Sequence, residues 1–191
     1  MCITSNSRIV KVLAGAFLVS LVALAGPPSP AFGADARTLL HSESSDWREL
    51  GRGEMRWFGL RIYEAALWVR GDGDWREDRP FALEIRYARD IPADRLVATS
   101  VDEMRRLGVA DAAQLERWRG DLERAFPAVA AGDVIVGVHR PGSGTVFFHR
   151  GRLTAEVGDP NFSAAFFAIW LDARTREPGL RARLLGHDHE G

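Results

Sequence analysis

The sequence predicts an α+β fold, an open antiparallel sheet with its helices gathered in a layer on one face. Three observations carry this. Strand-like apolar segments stand at 53–69 and 81–89, and again at 132–140, 144–150 and 152–157. Two amphipathic segments of helical period separate the two strand groups, and a broader apolar helix follows the second. Short turns rich in Gly or charge join the strands of each group, which suits antiparallel neighbours.

The chain opens on a segment outside that pattern. Arg8 and Lys11 form a short positive region, "VLAGAFLVSLVALAG" is apolar, and "PPSPAFGADA" supplies helix breakers and small residues. Residues 1–33 therefore read as a secretory signal peptide cleaved near 33–36, and the expected location is periplasmic or secreted. No stable membrane span is expected after cleavage. The remaining chain of roughly 155 residues suits one compact domain. We place it at 37–186, followed by a polar tail at 187–191.

Composition excludes several chemistries. Cys2 is the only cysteine and Lys11 the only lysine, and both lie in the leader. The exported domain then has no thiol, disulfide or lysine chemistry, and its stability must come from an apolar core. With 46% hydrophobic residues of 191, that core is available. The formal charge of −1 and the lack of a basic stripe argue against nucleic acid.

The elements follow in order. Residues 37–50 are polar and mixed and are expected to form a lead-in or first strand. "GEMRWFGLRIYEAALWV", 53–69, reads as extended, with Gly59 as a bulge or turn. "RGDGDWREDRP" is a charged hairpin loop, and "FALEIRYAR" alternates as a half-buried strand. Leu96, Val97, Val101, Met104 and Leu107 then share one helical face, with Pro92 at its start and Gly108 at its end. Asp111 can cap a second helix whose stripe is Leu115, Trp118, Leu122 and Phe126, with Pro127 beyond it. A three-strand meander turns around Pro141 and Gly142 and again at Gly151. Asn161 can cap "FSAAFFAIWLDART", and one more short helix follows Pro178.

Several motifs are weak. "GRGEMR" lacks the third glycine of a dinucleotide fingerprint, and a strand follows it. "GDGDW" lacks the further ligands of a calcium loop. His139 and His149 fall on adjacent strands but not opposite one another, and no metal ligand set converges on them. "GSGT" is a turn around Ser143 without a strand–serine–helix context. No cofactor is expected.

The run at 51–69 poses the sharper question. Strict alternation puts Arg56 with Phe58, Leu60, Ile62, Ala66 and Trp68, and puts Tyr63 with Trp57, Arg61, Ala65, Leu67 and Val69. Arg56 and Tyr63 share a face only if Gly59 introduces a bulge or two short strands meet there. Arg56 is either a cation facing an anionic ligand or a solvated arginine at a sheet edge.

Four pieces together resemble the chalcone isomerase-like family, in its bacterial exported branch. They are "GRGEMRWFGLRIYEAALWV", "LEIRYARDIPADRLVATSVDEM", "FPAVAAGDVIVGVHRPGSGTVFFHRGRL" and "DPNFSAAFFAIWLDARTREPGLRARLLG". The resemblance implies an open-faced β-sandwich, with a ligand cleft between a large antiparallel sheet and the helices. It also implies either of two activities, closure of a chalcone to a flavanone or non-catalytic binding of fatty acids. In both kinds an arginine at the start of the strand pair faces the cleft. Arg56 matches that position best and Arg52 competes. Tyr63 stands where isomerases carry threonine and binders carry tyrosine. The tyrosine and asparagine that isomerases use near their first helix have no match in "IPADRLVATSVDEM". Ser143 or Thr145 lies near the isomerases' hydroxyl.

The expectation is therefore an exported, non-catalytic protein that binds a small apolar carboxylate at Arg56 and Tyr63. Arg52, Ser143 and Thr145 are further candidates, and Phe147, Phe148, Phe162, Phe166, Phe167, Ile169 and Trp170 are candidate walls. An intramolecular lyase acting on flavonoid-like enones is the second reading. A structural or interaction module whose cleft its own side chains fill is the third.

Overall fold

The computed structural model describes residues 36–187. The leader and all of the polar tail except His187 lie outside the described residues. The described residues fall within one compact unit, Phe32–Gly191.

Six strands form one sheet in chain order, each antiparallel to the next: β1 (Trp47–Trp57), β2 (Leu60–Arg70), β3 (Phe81–Tyr87), β4 (Val134–Arg140), β5 (Gly144–His149) and β6 (Arg152–Val157). Helices α2 (Ala93–Leu107), α3 (Ala112–Ala125), α4 (Pro160–Leu171) and α5 (Pro178–Leu184) pack on one face through the larger apolar cluster. This is the expected open-faced sandwich. None of the described helices is long and apolar enough to cross a membrane.

The first element departs from expectation. Residues 36–43 form helix α1 (Ala36–Glu43), with Ala36 and Leu40 buried. It joins Trp47, Ala66, Trp68, Ala82, Val134, Val136 and Val138 in a second apolar cluster on the opposite face of the sheet. The helices are thus not confined to one face. Only two residues of "ARTLLHSE" are buried, so its helical period is shallow and reads as mixed polar sequence until a partner surface is present.

The other helices have local causes. Asp111 accepts from the Gln114 amide, and Gln114 Oε1 accepts from the Asp111 amide, a reciprocal capping box on α3. Pro92 starts α2 and Gly108 closes it, as expected. The cap of α4 is Asp159 rather than Asn161, because Pro160 occupies the first helical position. Asp159 also accepts from Trp118 Nε1 at 2.9 Å, so one carboxylate caps α4 and ties it to α3.

Residues 51–69 hold two strands that meet at a turn containing Gly59, one of the alternatives that run allowed. Phe58 and Gly59, with φ of 48° and 79°, make a two-residue turn between β1 and β2. Gly59 takes that left-handed backbone freely, whereas for a bulky residue such as Phe58 it costs about 1–2 kcal/mol. The pairing runs Met55↔Tyr63, then Arg56↔Arg61 and Trp57↔Leu60. Ile62 is therefore an extra residue on β2, a bulge just past the turn.

Candidate functional site

The bulge decides what faces the helices. Met55 and Trp57 alternate onto the inner face of β1, and the bulge lets two consecutive residues of β2, Ile62 and Tyr63, reach the same space. Leu83, Ile85 and Tyr87 continue the inner face along β3, and Ile135 and Phe147 continue it along β4 and β5. Leu96 from α2, Phe166, Ile169 and Trp170 from α4, and Leu180 from α5 close over it. Between these layers lies a cavity of about 710 Å³, within the roughly 300–1,000 Å³ typical of small-molecule sites. Its walls are mostly apolar, and its own side chains leave the space open.

Two phenols are the polar groups of its sheet floor. Tyr63 and Tyr87 are cross-strand partners, and their ring centroids are 6.3 Å apart at 68°. Trp170 Nε1 donates to the Tyr63 hydroxyl at 3.0 Å, which leaves the hydroxyl's own proton to give. The Tyr87 hydroxyl has no hydrogen-bond partner among the described residues. Burial pushes the Tyr63 phenol up to about 12, and Glu177 and Glu103 add to this against the lowering effect of Trp170. Burial raises Tyr87 as well, with the neighbouring Tyr63 adding to it. Both therefore stay neutral near pH 7, as O–H donors in an apolar space.

Charged groups line the helical side. Glu103 of α2 accepts from Arg106 Nε at 2.8 Å and from Arg176 Nε at 3.0 Å. Glu103 and Arg176 both border the cavity, as does Glu177. Arg95, in the first turn of α2, borders it too, and its guanidinium has no ion pair or hydrogen bond among the described residues. An apolar cavity with two neutral donors on its floor and an uncommitted cation on its edge can hold an apolar body that ends in an oxygen acceptor or a carboxylate.

The residues singled out from the sequence are scattered. Tyr63 lines the cavity. Arg56 is on the opposite face of β1, 58% exposed, where it donates to Glu54 and to the Gly59 carbonyl. Gly59 sits in the turn and the bulge falls at Ile62, so Arg56 and Tyr63 do not reach one cavity, and the paired clamp does not form. Arg52 is on that same outer face, bound to Glu49 and Glu64. Where β1 borders the cavity its inner face presents Met55 and Trp57 and no cation. Gly51 and Gly53 lie against α5, and Arg48, opposite Val69 on that face, donates to the Gly71 and Gly73 carbonyls away from the cavity. Ser143 is exposed in the β4–β5 turn. Thr145 is buried away from the cavity, where its hydroxyl donates to Ser163 at 2.7 Å. Of the expected walls, Phe147, Phe166, Ile169 and Trp170 border the cavity. Phe162 and Phe167 pack in the core, and Phe148 lies against the outer cluster.

Tyr87 and Arg95 were not singled out from the sequence. Tyr87 had a usable signal, since Phe81, Leu83, Ile85 and Tyr87 form the inner row of an alternating strand that ends in a phenol. Arg95 had none, because a helix-start arginine is ordinarily solvated.

Comparison with known proteins agrees with this architecture. A family model described as chalcone isomerase-like matches residues 51–186. A protein of Haemophilus influenzae, described only as uncharacterized, is 24% identical over 140 residues, which is 73% of this chain and 68% of that one. The crystal structure of a fatty-acid binding protein of Arabidopsis thaliana superposes with a TM-score of 0.57 at 10% identity, covering 75% of this chain and 88% of that one.

Proposed function

This chain belongs to the chalcone isomerase-like family, and from that premise we propose that it is an exported, non-catalytic binding protein for a small apolar anion such as a fatty acid. One observation carries the reading. The cavity is apolar, and the hydroxyls of Tyr63 and Tyr87 enter it with protons that the fold does not use. A carboxylate placed there accepts two phenolic hydrogen bonds, its chain lies along the Leu83, Ile85, Phe147 and Phe166 wall, and Arg95 supplies positive charge at the edge. The name of the Arabidopsis protein points the same way.

The phenol pair also gives the enzyme reading its best support, since two neutral donors suit the oxygen of an enone as well as that of a carboxylate. Against it stands the lack of the tyrosine and asparagine that isomerases carry beside the substrate. The self-filled module loses support from the open cavity.

The test begins with protein recovered from the exported fraction of expressing cells. Its first residue should lie near 34, and organic extraction should release a carboxylate identifiable by mass spectrometry. In calorimetric titration of the emptied protein with palmitate, Tyr87→Phe and Tyr63→Phe should each weaken binding by about ten- to a hundredfold. Arg95→Ala should weaken it less, because that group is open to solvent. Absence of palmitate binding would sink the binder, and turnover of a chalcone panel above the spontaneous rate would establish the isomerase.

A further inference from the structure

The β1–β2 turn carries a patch that folding does not explain. Trp57, Phe58 and Leu60 are 62%, 87% and 54% exposed, and they stand together at the tip of the hairpin. Single exposed apolar residues are ordinary, but three together on one projecting turn are not. Phe58 is the informative one. It holds a left-handed backbone that favours Asn or Gly, and its only ring neighbour among the described residues is Trp57, 4.9 Å away. Asn-Gly would make a better turn here, so the aromatic at this position serves something outside the chain.

The surrounding charge indicates what that is. Arg61 and Arg89 border one shallow depression with Leu60, and Arg56 stands beside them. Against these three cations stand Glu54, which pairs with both Arg56 and Arg61, and Asp90, which accepts from the Ala131 amide. The tip is therefore net positive, with aromatic rings projecting beyond the guanidiniums. Rings of this kind settle at the headgroup level of a bilayer, and arginines pair with lipid phosphates there. Trp57 also borders the cavity, so the patch runs without a break into the cavity wall.

We infer that the Trp57–Leu60 hairpin tip is a docking element for an anionic phospholipid surface, placing the edge of the cavity against the bilayer. The inference stands on the tip alone and does not depend on what occupies the cavity.

The compact unit Phe32–Gly191 carries both apolar clusters and lacks most of the apolar leader, so it is the form to use. It should sediment with vesicles of phosphatidylcholine mixed with phosphatidylglycerol, more weakly with phosphatidylcholine alone, and less as salt rises. Phe58→Asn combined with Leu60→Thr should weaken partition about tenfold while leaving the thermal midpoint unchanged or higher, since Asn tolerates this turn. Arg61→Gln with Arg89→Gln should abolish the preference for phosphatidylglycerol. Absence of vesicle binding, equal partition of the Phe58→Asn, Leu60→Thr variant, or a protein partner held by the tip in place of vesicles would each overturn the inference.

Discussion

Arg56 and Tyr63 are seven positions apart in one apolar run, yet they belong to different sides of the molecule. Arg56 pairs with Glu54 in solvent, and Tyr63 meets Trp170 from 107 residues away inside the cavity. An exposed pair of this kind contributes little to stability, and neither partner borders the cavity. Arg56→Ala and Arg52→Ala should therefore leave palmitate affinity within about twofold of the parent protein. A tenfold loss in the same calorimetric titration would show that one of these arginines reaches the cavity. The residue types of the site were readable in the sequence as a phenol on an apolar strand. Their pairing was not, because Tyr63 and Tyr87 become neighbours only through the register of β2 on β3.

Among the elements, α5 shows how a short helix sets the shape of the site. A Cβ added at Gly51 would lie 2.1 Å from the Arg183 carbonyl oxygen, and one at Gly53 would meet Leu180 and Arg183. The two glycines let α5 lie directly on β1, with Leu180 and Leu184 buried and Leu180 forming part of the cavity wall. That close approach leaves no room for a side chain, charged or otherwise, at Gly51 or Gly53. Gly51→Ala should push α5 outward and destabilise the fold by about 1–3 kcal/mol. Denaturant titration would measure this, and limited proteolysis should then cut first near residues 172–179. An unchanged midpoint would mean that α5 yields without cost. Helices α2 and α3 were legible almost to the residue, because a capping box and a terminal glycine are local signals. Helix α1 was not, since its two buried residues make sense only against the outer cluster.

For the molecule as a whole, the buried and paired titratable groups make stability fall with acid. His139 donates from Nε2 to the Glu77 carbonyl at 2.9 Å, so its Nδ1 accepts from Ser163 at 2.7 Å, a neutral imidazole. Burial lowers its pKa below the ordinary 6.5, against the raising effect of the Glu77 carbonyl. That contribution is complete above pH 6.5 and is lost as pH falls toward the lowered value. The hydrogen bond from Arg174 leads the groups that hold Asp172 down to about 2, against 3.8 unfolded. Burial acts to raise Asp133, but Arg150, the Ala130 amide and His149 outweigh it and hold it below its usual value. These carboxylate contributions persist above pH 3.8 and disappear below it. The thermal midpoint should thus decline gently below about pH 6.5 and steeply below about pH 4. His139→Gln should remove the first decline and keep the second. A midpoint flat down to pH 4 in the parent protein would refute the role given to His139.

The sequence by itself determined the α+β class, the two groups of antiparallel strands, the main helices with most of their caps, and the family. Each of these follows from periodicity, turn chemistry or the ordered combination of segments, all of which are written along the chain. The tertiary structure alone decided which side chains form the site. A bulge at Ile62 moved Tyr63 into the cavity while Arg56 stayed outside, and a shift of one residue in a strand exchanges its faces. The register that fixes this comes from pairing with a neighbouring strand and packing beneath a distant helix, neither of which is encoded in the alternation of a single segment.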